Sequence, residues 1–332
     1  MKNLKEANEI LKNISKRHSN ITPVSINDYE LFQSFFKKEK QHTYGNTWTY
    51  VTQGVYGVGP NNLGYKYYDG DNLSIVACYP KIMEPDTIMF YWSRPMGNTI
   101  LEKISEISTD VKKKEGLSTY VKKIFPDQAK VLKKYGFKNN KTYPWHPKAH
   151  SEDDTFPELI IDLEYTLLQC QKLSRRTRLR HSYIRAQNLE KNHIVRISDE
   201  NIQTDAWDIA QKFFKEKNTY SPENLSTKHD YYNMIFNCVK NNNIRSNVIY
   251  VDNEPAGYYL TEKDCHGITN FYATLNLRKK IKYLSDYALI HVIKETKTKH
   301  MNLGGSENKN IHEFKKKFKP IKKNVMRWVN LH

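Results

Sequence analysis

The chain is poor in residues that announce a chemistry by themselves. Its 332 residues include four cysteines, Cys78, Cys170, Cys238 and Cys265, widely scattered. They form no CxxC pair and no His/Cys cluster with zinc spacing, so reduced thiols and no metal site are expected. No apolar run nears the roughly 20 residues that span a bilayer. The opening MKNLKEANEI reads as a charged helix and not as a signal peptide, so the expectation is a cytoplasmic protein. No Ser/His/Asp or Cys/His arrangement offers a covalent nucleophile. Gly54, Gly57 and Gly59 superficially suggest GxGxxG, but no strand-to-helix turn surrounds them, and a loop before an antiparallel strand accounts for them better. Acidic residues are the scarcer sign, 36 Asp+Glu against 53 Lys+Arg, for a formal charge of +17. That excess favours a polyanionic partner, nucleic acid or an anionic membrane surface. Lysine-rich coding with solvated faces explains the same charge without a partner.

What the sequence does have is a dense alternation of strand and helix signals. In the last third, NVIYV (Asn247–Val251) and PAGYYLTE (Pro255–Glu262) flank the turn-formers Asp252-Asn253-Glu254 and read as a hairpin. A third strand covers Ile268–Asn276. Leu284–Lys297 is apolar almost all round its middle and predicts a buried helix. A short strand at His300–Leu303, a basic helix around Asn310–Phe318 and a last strand over Asn324–Leu331 follow. Strand, buried helix and further strand make a crossover unit, which places ligands at the carboxyl ends of its strands.

The first half repeats that order less clearly: strand, helix Tyr29–Lys38, hairpin, strand Asp86–Trp92, helix Thr99–Lys114, strand Leu117–Val121 and helix Asp127–Tyr135. Pro144, Pro147 and polar neighbours in 140–156 predict a connection, dividing the chain into 1–150 and 151–332. After a strand at Glu158–Leu163 comes a helix with Lys172, Arg175, Arg176, Arg178, Arg180 and Arg185. Two amphipathic stripes, Ala206 to Phe214 and Tyr231 to Val239, are core-facing surfaces without chemistry.

This order resembles the GNAT acyltransferase fold, present twice. The expected class is therefore α/β (α+β), with two tandem GNAT-like domains, each a mixed, mostly antiparallel sheet flanked by helices. The tandem is similar to Fem-type aminoacyltransferases and to the C-terminal domain of phosphatidylglycerol lysyltransferases. Two segments carry the likeness: Ile160–Asn188, with its arginine-rich helix and Ile184-Arg185-Ala186, and Met301–Pro320, with Gly304-Gly305 and an FKxxF core at Phe314-Lys315 and Phe318. The resemblance implies acyl transfer, from aminoacyl-tRNA to an amine or hydroxyl of a peptide, cell-wall precursor or lipid headgroup. It implies no tightly bound cofactor and a tRNA partner, while peripheral contact with an anionic membrane follows from the charge excess as an expectation. A coenzyme A or acyl-carrier donor, and a non-catalytic nucleic-acid-binding role, stand as alternatives.

The residues bear on the donor. Ordinary GNAT proteins cradle pyrophosphate on backbone N–H groups of a glycine-containing loop at a helix N-terminus. Here Arg278, Lys279, Lys280 and Lys282 occupy that loop without glycine, which suits side-chain grips on a nucleic-acid backbone or a plain solvated loop. Arg175, Arg176, Arg178, Arg180 and Arg185 are the second phosphate-contact candidates, since arginine is favoured where oxyanions are held bidentately. Gly304, Gly305 and Ser306 are expected at the donor, where small residues let backbone approach a ligand. Lys315, the lysine of the FKxxF pattern, is the candidate either for holding a phosphate or carboxylate or for stabilising the oxyanion at the ester carbonyl. Glu254 and Asp264 are the candidate bases, taken from the hairpin turns that also hold Asp252 and His266, where an ordinary turn role competes.

Overall fold

The computed structural model describes residues 2–52, 64–81, 84–139, 142–143, 146–150, 156–172, 177–216, 244–277, 281–306 and 308–332. In chain order the elements are α1 (Lys2–Arg17), β1 (Ile21–Pro23), α2 (Tyr29–Lys38), α3 (Trp48–Thr52), β2 (Gly64–Tyr68), β3 (Leu73–Lys81), β4 (Glu84–Met96), α4 (Ile100–Glu115), β5 (Thr119–Ile124), α5 (Pro126–Lys134), β6 (Lys138–Asn139), β7 (Thr142–Tyr143) and β8 (His146–His150). They continue as β9 (Glu158–Asp162), α6 (Leu163–Gln171), α7 (Arg178–Asn192), β10 (Val195–Ser198), α8 (Ile202–Glu216), β11 (Ile244–Val251), β12 (Glu254–Lys263), β13 (Thr269–Asn276), α9 (Leu284–Glu295), β14 (His300–Asn302), α10 (Lys309–Lys316), β15 (Lys322–Asn324) and β16 (Arg327–Leu331).

Two seven-stranded sheets result, ordered β1-β2-β3-β4-β5-β16-β6 and β10-β11-β12-β13-β14-β9-β15. Place for place these are one plan. The fourth and fifth strands, β4–β5 and β13–β14, are parallel and joined through α4 and α9. Sixth place in each sheet goes to a strand from outside the consecutive run. The chain divides into two compact units, 1–158 with 305–309 and 324–332, and 159–304 with 310–323. The final strand corrects the sequence reading. The stretch expected as one strand over Asn324–Leu331 is two, with β15 in the second sheet and β16 in the first, beside β5.

In the first unit α1 and α4 pack on the sheet. Ala7, Leu11 and Ile14 on one stripe, and Ile100, Ile104, Ile107 and Val111 on another, meet Val76, Phe90, Trp92 and Val121. Burying each large aliphatic or aromatic side chain contributes about 1.5–3 kcal/mol. Gly116 ends α4 in the left-handed region at φ 69°, where glycine carries no Cβ penalty.

In the second unit α6, α7 and α9 share one face of the sheet. Leu284, Ala288, Leu289 and Ile293 of α9 pack with Leu179 and Ala186 of α7 and with Ile249, Phe271 and Met301 of the strands. The all-round apolar middle of α9 is thereby explained, since helices and sheet surround it. The β11–β12 hairpin turns at Asp252 and Asn253 with φ of 52° and 68°, the left-handed pair that matches strand twist in a two-residue turn. Of the arginine-rich helix expected over Lys172–Arg185, Arg178–Arg185 opens α7, whereas Lys172 follows the end of α6 and 173–176 lie outside the described residues. Asp162 caps α6 by accepting from the Tyr165 N–H, and Thr177 caps α7 by accepting from the Arg180 N–H. The expected helix over Tyr231–Val239 lies outside the described residues. Among the described residues no helix is long and apolar enough to cross a membrane.

Candidate active site

The second unit's central strands part. β13 and β14 hold only two residue pairs, Thr269 with Met301 and Asn270 with Asn302. Beyond them β13 runs on to Asn276, which lies beside Gly257 of β12. The chain after Asn302 leaves instead for β9, where the Leu303 N–H donates to the Leu159 carbonyl at 2.8 Å. Gly304 allows this departure with φ 70°, and its N–H donates to Asn302 Oδ1 at 2.8 Å. A notch is left between two strands of one sheet, with the N-terminus of α9 at its open end.

A row of polar side chains sits at the vertex. Glu262 pairs with Asn270 across β12–β13, and Asn270 with Asn302 across β13–β14. Directly paired residues point to one face, and Phe271 and Met301 point into the α9 core, so the row points to the opposite face. All three side chains are buried, at 1%, 0% and 0% exposure. Neither Oδ1 nor Nδ2 of Asn270 has a hydrogen-bond partner. A buried amide left so costs about 1–3 kcal/mol, which marks it as a place where a ligand's polar groups would be welcome.

Both segments that carried the resemblance converge on the first turn of α9. Arg185 of α7 lies over the ring of Tyr283 at 4.8 Å, and Tyr283 caps α9 with a left-handed φ of 68°. From the other side Lys317 forms an ion pair with Asp286 of that turn and lies 3.9 Å above the Phe314 ring. Phe318 is fully buried, so the FKxxF aromatics are packing that aims Lys317. Lys315 Nζ reaches the Gly304 carbonyl at 3.5 Å, the outer limit of hydrogen bonding. Arg178 opens α7 and is exposed. It lies close to α10, where the Glu313 carboxyl is held below its ordinary value chiefly by Lys316, with Arg178 adding to the effect. The helix dipole and unpaired N–H groups at the start of α9, with these cations about it, make an anion-binding end.

The other expected residues divide. Arg180 serves structure, donating through Nη1 to the Lys172 carbonyl at 3.3 Å. Ser306 is buried and donates its N–H to the Phe156 carbonyl at 3.2 Å; Gly305 is half-buried. Glu254 and Asp264 stand at opposite ends of β12 and are not brought together. Asp264 Oδ1 accepts from the His266 and Ile268 N–H groups, at 2.9 and 2.8 Å, as a turn clasp. Glu254 is exposed at the hairpin tip. Arg175, Arg176, Arg278, Lys279 and Lys280 lie outside the described residues. Glu262, Asn270 and Asn302 were not singled out from the sequence, although each is polar at an inward position of an apolar strand, which is the available signal. Among the described residues no group of three or more His, Cys, Asp or Glu gathers as metal ligands.

No protein-family model and no curated protein matches this sequence. Solved structures do. L-PGS from Bacillus licheniformis superposes with a TM-score of 0.58 at 13% identity, over 94% of this chain and 93% of that one. FemX gives 0.55 at 10%, over 93% and 96%. A tandem GNAT protein from the clavulanic acid biosynthesis pathway gives 0.51 at 9%, over 93% and 96%. This is a tandem GNAT fold. In the tandem GNAT plan the notch between β13 and β14 is the opening between the fourth and fifth strands, and the same opening occurs between β4 and β5 of the first unit.

Proposed function

We propose that the chain is an acyltransferase whose second unit transfers an aminoacyl group from aminoacyl-tRNA to an amine or hydroxyl. The observation that supports this reading most is the parting of β13 and β14 after two residue pairs, beside a helix N-terminus ringed by Arg185 and Lys317. An aminoacyl ester is already activated, so positioning and charge stabilisation suffice. The donor's phosphates lie at the start of α9, and its ester carbonyl enters the notch. The acceptor's amine nitrogen or hydroxyl oxygen attacks the carbonyl carbon, Glu262 takes the proton that atom sheds, and the Asn270 amide N–H and Lys315 face the oxyanion. Collapse breaks the ester C–O bond, and the tRNA hydroxyl leaves with that proton. Glu262 replaces Glu254 and Asp264 as the proposed base, because it alone of the three is buried at the notch vertex. The acceptor is a peptide or cell-wall amine, or a lipid headgroup hydroxyl.

The test is transfer of radiolabel from a charged-tRNA pool into an amine acceptor. Transfer abolished by ribonuclease supports the reading. Transfer from acyl-coenzyme A that survives ribonuclease would move the donor to coenzyme A. Binding of tRNA that weakens with salt, without any transfer, would leave a nucleic-acid-binding protein.

A further inference from the structure

The first unit's opening is built differently. β4 and β5 hold four residue pairs, ending at Ser93 with Lys122. The next residue of each strand, Arg94 and Lys123, is left-handed, with φ of 56° and 57°. Side chains with a Cβ disfavour this conformation, and such strain persists where the surroundings hold it, characteristically at functional sites. Its effect is on direction. Plain alternation would place Arg94 on the face of Trp92 and Lys123 on that of Val121, in the apolar core. The two kinks take both cations out of that core at one level of the sheet.

The surroundings fit an oxyanion. Arg94 is fully buried. Its Nε donates to Asn46 Oδ1 and its Nη2 to Glu39 Oε2 at 3.2 Å, while Nη1 is buried with no hydrogen-bond partner. The Phe125 ring lies 5.5 Å from the guanidinium carbon, so stacking and two hydrogen bonds fix the fork and leave one edge over. Lys122, 6% exposed, stands over the Tyr50 and Trp328 rings at 5.8 and 5.6 Å. Tyr50 and Ser93 share a hydroxyl hydrogen bond of 2.7 Å at the last strand pair. Lys123 Nζ is 3.8 Å from Glu158 Oε1. Glu39 pairs with Arg94 and Glu158 with Lys123, so carboxylates hold two of the cations in place. Gly45 lets the backbone pack against the Arg94 stem and helps fix it, since a Cβ there would lie 2.9 Å from Arg94 Cδ.

We infer that the opening between β4 and β5 is a second binding site, specific for a small oxyanion, the phosphate or carboxylate end of a ligand, gripped by the spare edge of Arg94 with Lys122 and Lys123. A guanidinium edge held dry and fixed by its neighbours binds a planar or tetrahedral oxyanion with little further ordering cost. The site is independent of the acyl-transfer reading, because it involves none of that notch's residues.

The experiment is direct binding by calorimetry to the full chain, with inorganic phosphate, acetate and chloride titrated separately at matched ionic strength, alongside thermal unfolding in each salt. Phosphate or acetate binding once per chain, with the unfolding midpoint rising by roughly 2–4 °C over chloride, is expected, and whichever anion gives it identifies the source chemistry. Arg94→Lys, which keeps charge but not the fork, lowers the affinity at least about tenfold, while Lys130→Ala at the exposed face of α5 leaves it unchanged. Equal responses to all three salts, no heat with the unaltered chain, or undiminished binding by Arg94→Lys would each overturn the inference.

Discussion

The two sheets share a strand order and open at the same place, yet the openings are lined by opposite kinds of group. In the first unit four pairs precede the parting, both backbones turn left-handed, and Arg94, Lys122 and Lys123 are the inward charges. In the second, two pairs precede it, Phe271 and Leu303 keep negative φ, and a carboxylate with two amides occupies the vertex. The parting itself is topological. A fifth strand held on its far side by β16 or β9 cannot stay paired along the whole fourth strand. What each opening can do is set by the few side chains at the next register positions. One plan therefore yields a cationic cluster that suits binding and an acid–amide vertex that suits proton transfer.

The sharpest way to break this comparison is Glu262→Gln. Removing the proposed base lowers kcat in the charged-tRNA assay by about 10²–10³-fold, the usual contribution of a positioned general base, with KM little changed. Asp110→Asn, an equally conservative change in the first unit where Asp110 pairs with Arg17 and His18, leaves kcat as it was. An unaltered rate in Glu262→Gln would return the second opening to a merely structural feature.

Next in size is a glycine in each unit, one needed for close backbone approach and one for its φ. A Cβ at Gly257 would sit 2.4 Å from Asn276 Oδ1 and 3.2 Å from Leu284 Cδ2, and the Asn276 amide is itself tied to Ser285 Oγ at 3.1 Å. Gly257→Ala therefore costs about 1–3 kcal/mol of stability, as overpacking does. Gly116→Ala in the first unit meets open space and suffers only its φ of 69°, about 1 kcal/mol. Urea midpoints of the two variants rank them. If Gly116→Ala is the worse, close approach of β12 to α9 is not what Gly257 supplies.

Much of the second unit was legible because its signals agree locally. The hairpin, α9 and the short strand before Gly304 each combine a period with a turn residue, and each was found within a few residues of its place. Strand membership was not legible. Nothing in RWVNL says that it pairs with β5 instead of β15, since an apolar strand of that length suits either sheet. The start of α7 at Thr177 was not legible, because one capping threonine is a weaker signal than the run of arginines around it. Within the site, Arg185 and Lys315 were reachable through motif spacing, whereas Glu262, Asn270 and Asn302 become a row only when register is known. Arg94 is a sharper case, because its burial depends on a backbone turn that a sequence of strand-formers does not announce.

The smallest predicted effect separates the units by acidity. Burial is the main cause that pushes the pKa of His291 on α9 below its ordinary value, against the raising influence of Glu295 and Glu190 and with Lys294 adding to the lowering. Its ring stacks on Tyr287 at 5.9 Å and lies 6.2 Å from Tyr259. The fold prefers the neutral imidazole, while the unfolded chain protonates near pH 6.5. Stability is thus complete above that pH and declines as pH falls through it, until the folded pKa is passed. The loss is a fraction of the roughly 1.4 kcal/mol that one pKa unit represents, because the ring is only partly buried and solvent screens it. In the first unit Asp110 behaves oppositely. Burial tends to raise its pKa, but hydrogen bonds from His18 and Lys114 together hold it below the ordinary aspartate value, so its contribution survives to lower pH and goes only as pH falls through the folded pKa. Urea midpoints of the native chain and His291→Gln at pH 7.5, 6.5 and 5.5 provide the check. The native midpoint drops faster than the variant's between 7.5 and 5.5. Parallel curves would show that the ring's surroundings do not disfavour its charge, and the second unit would lose its distinction as the first to yield to acid.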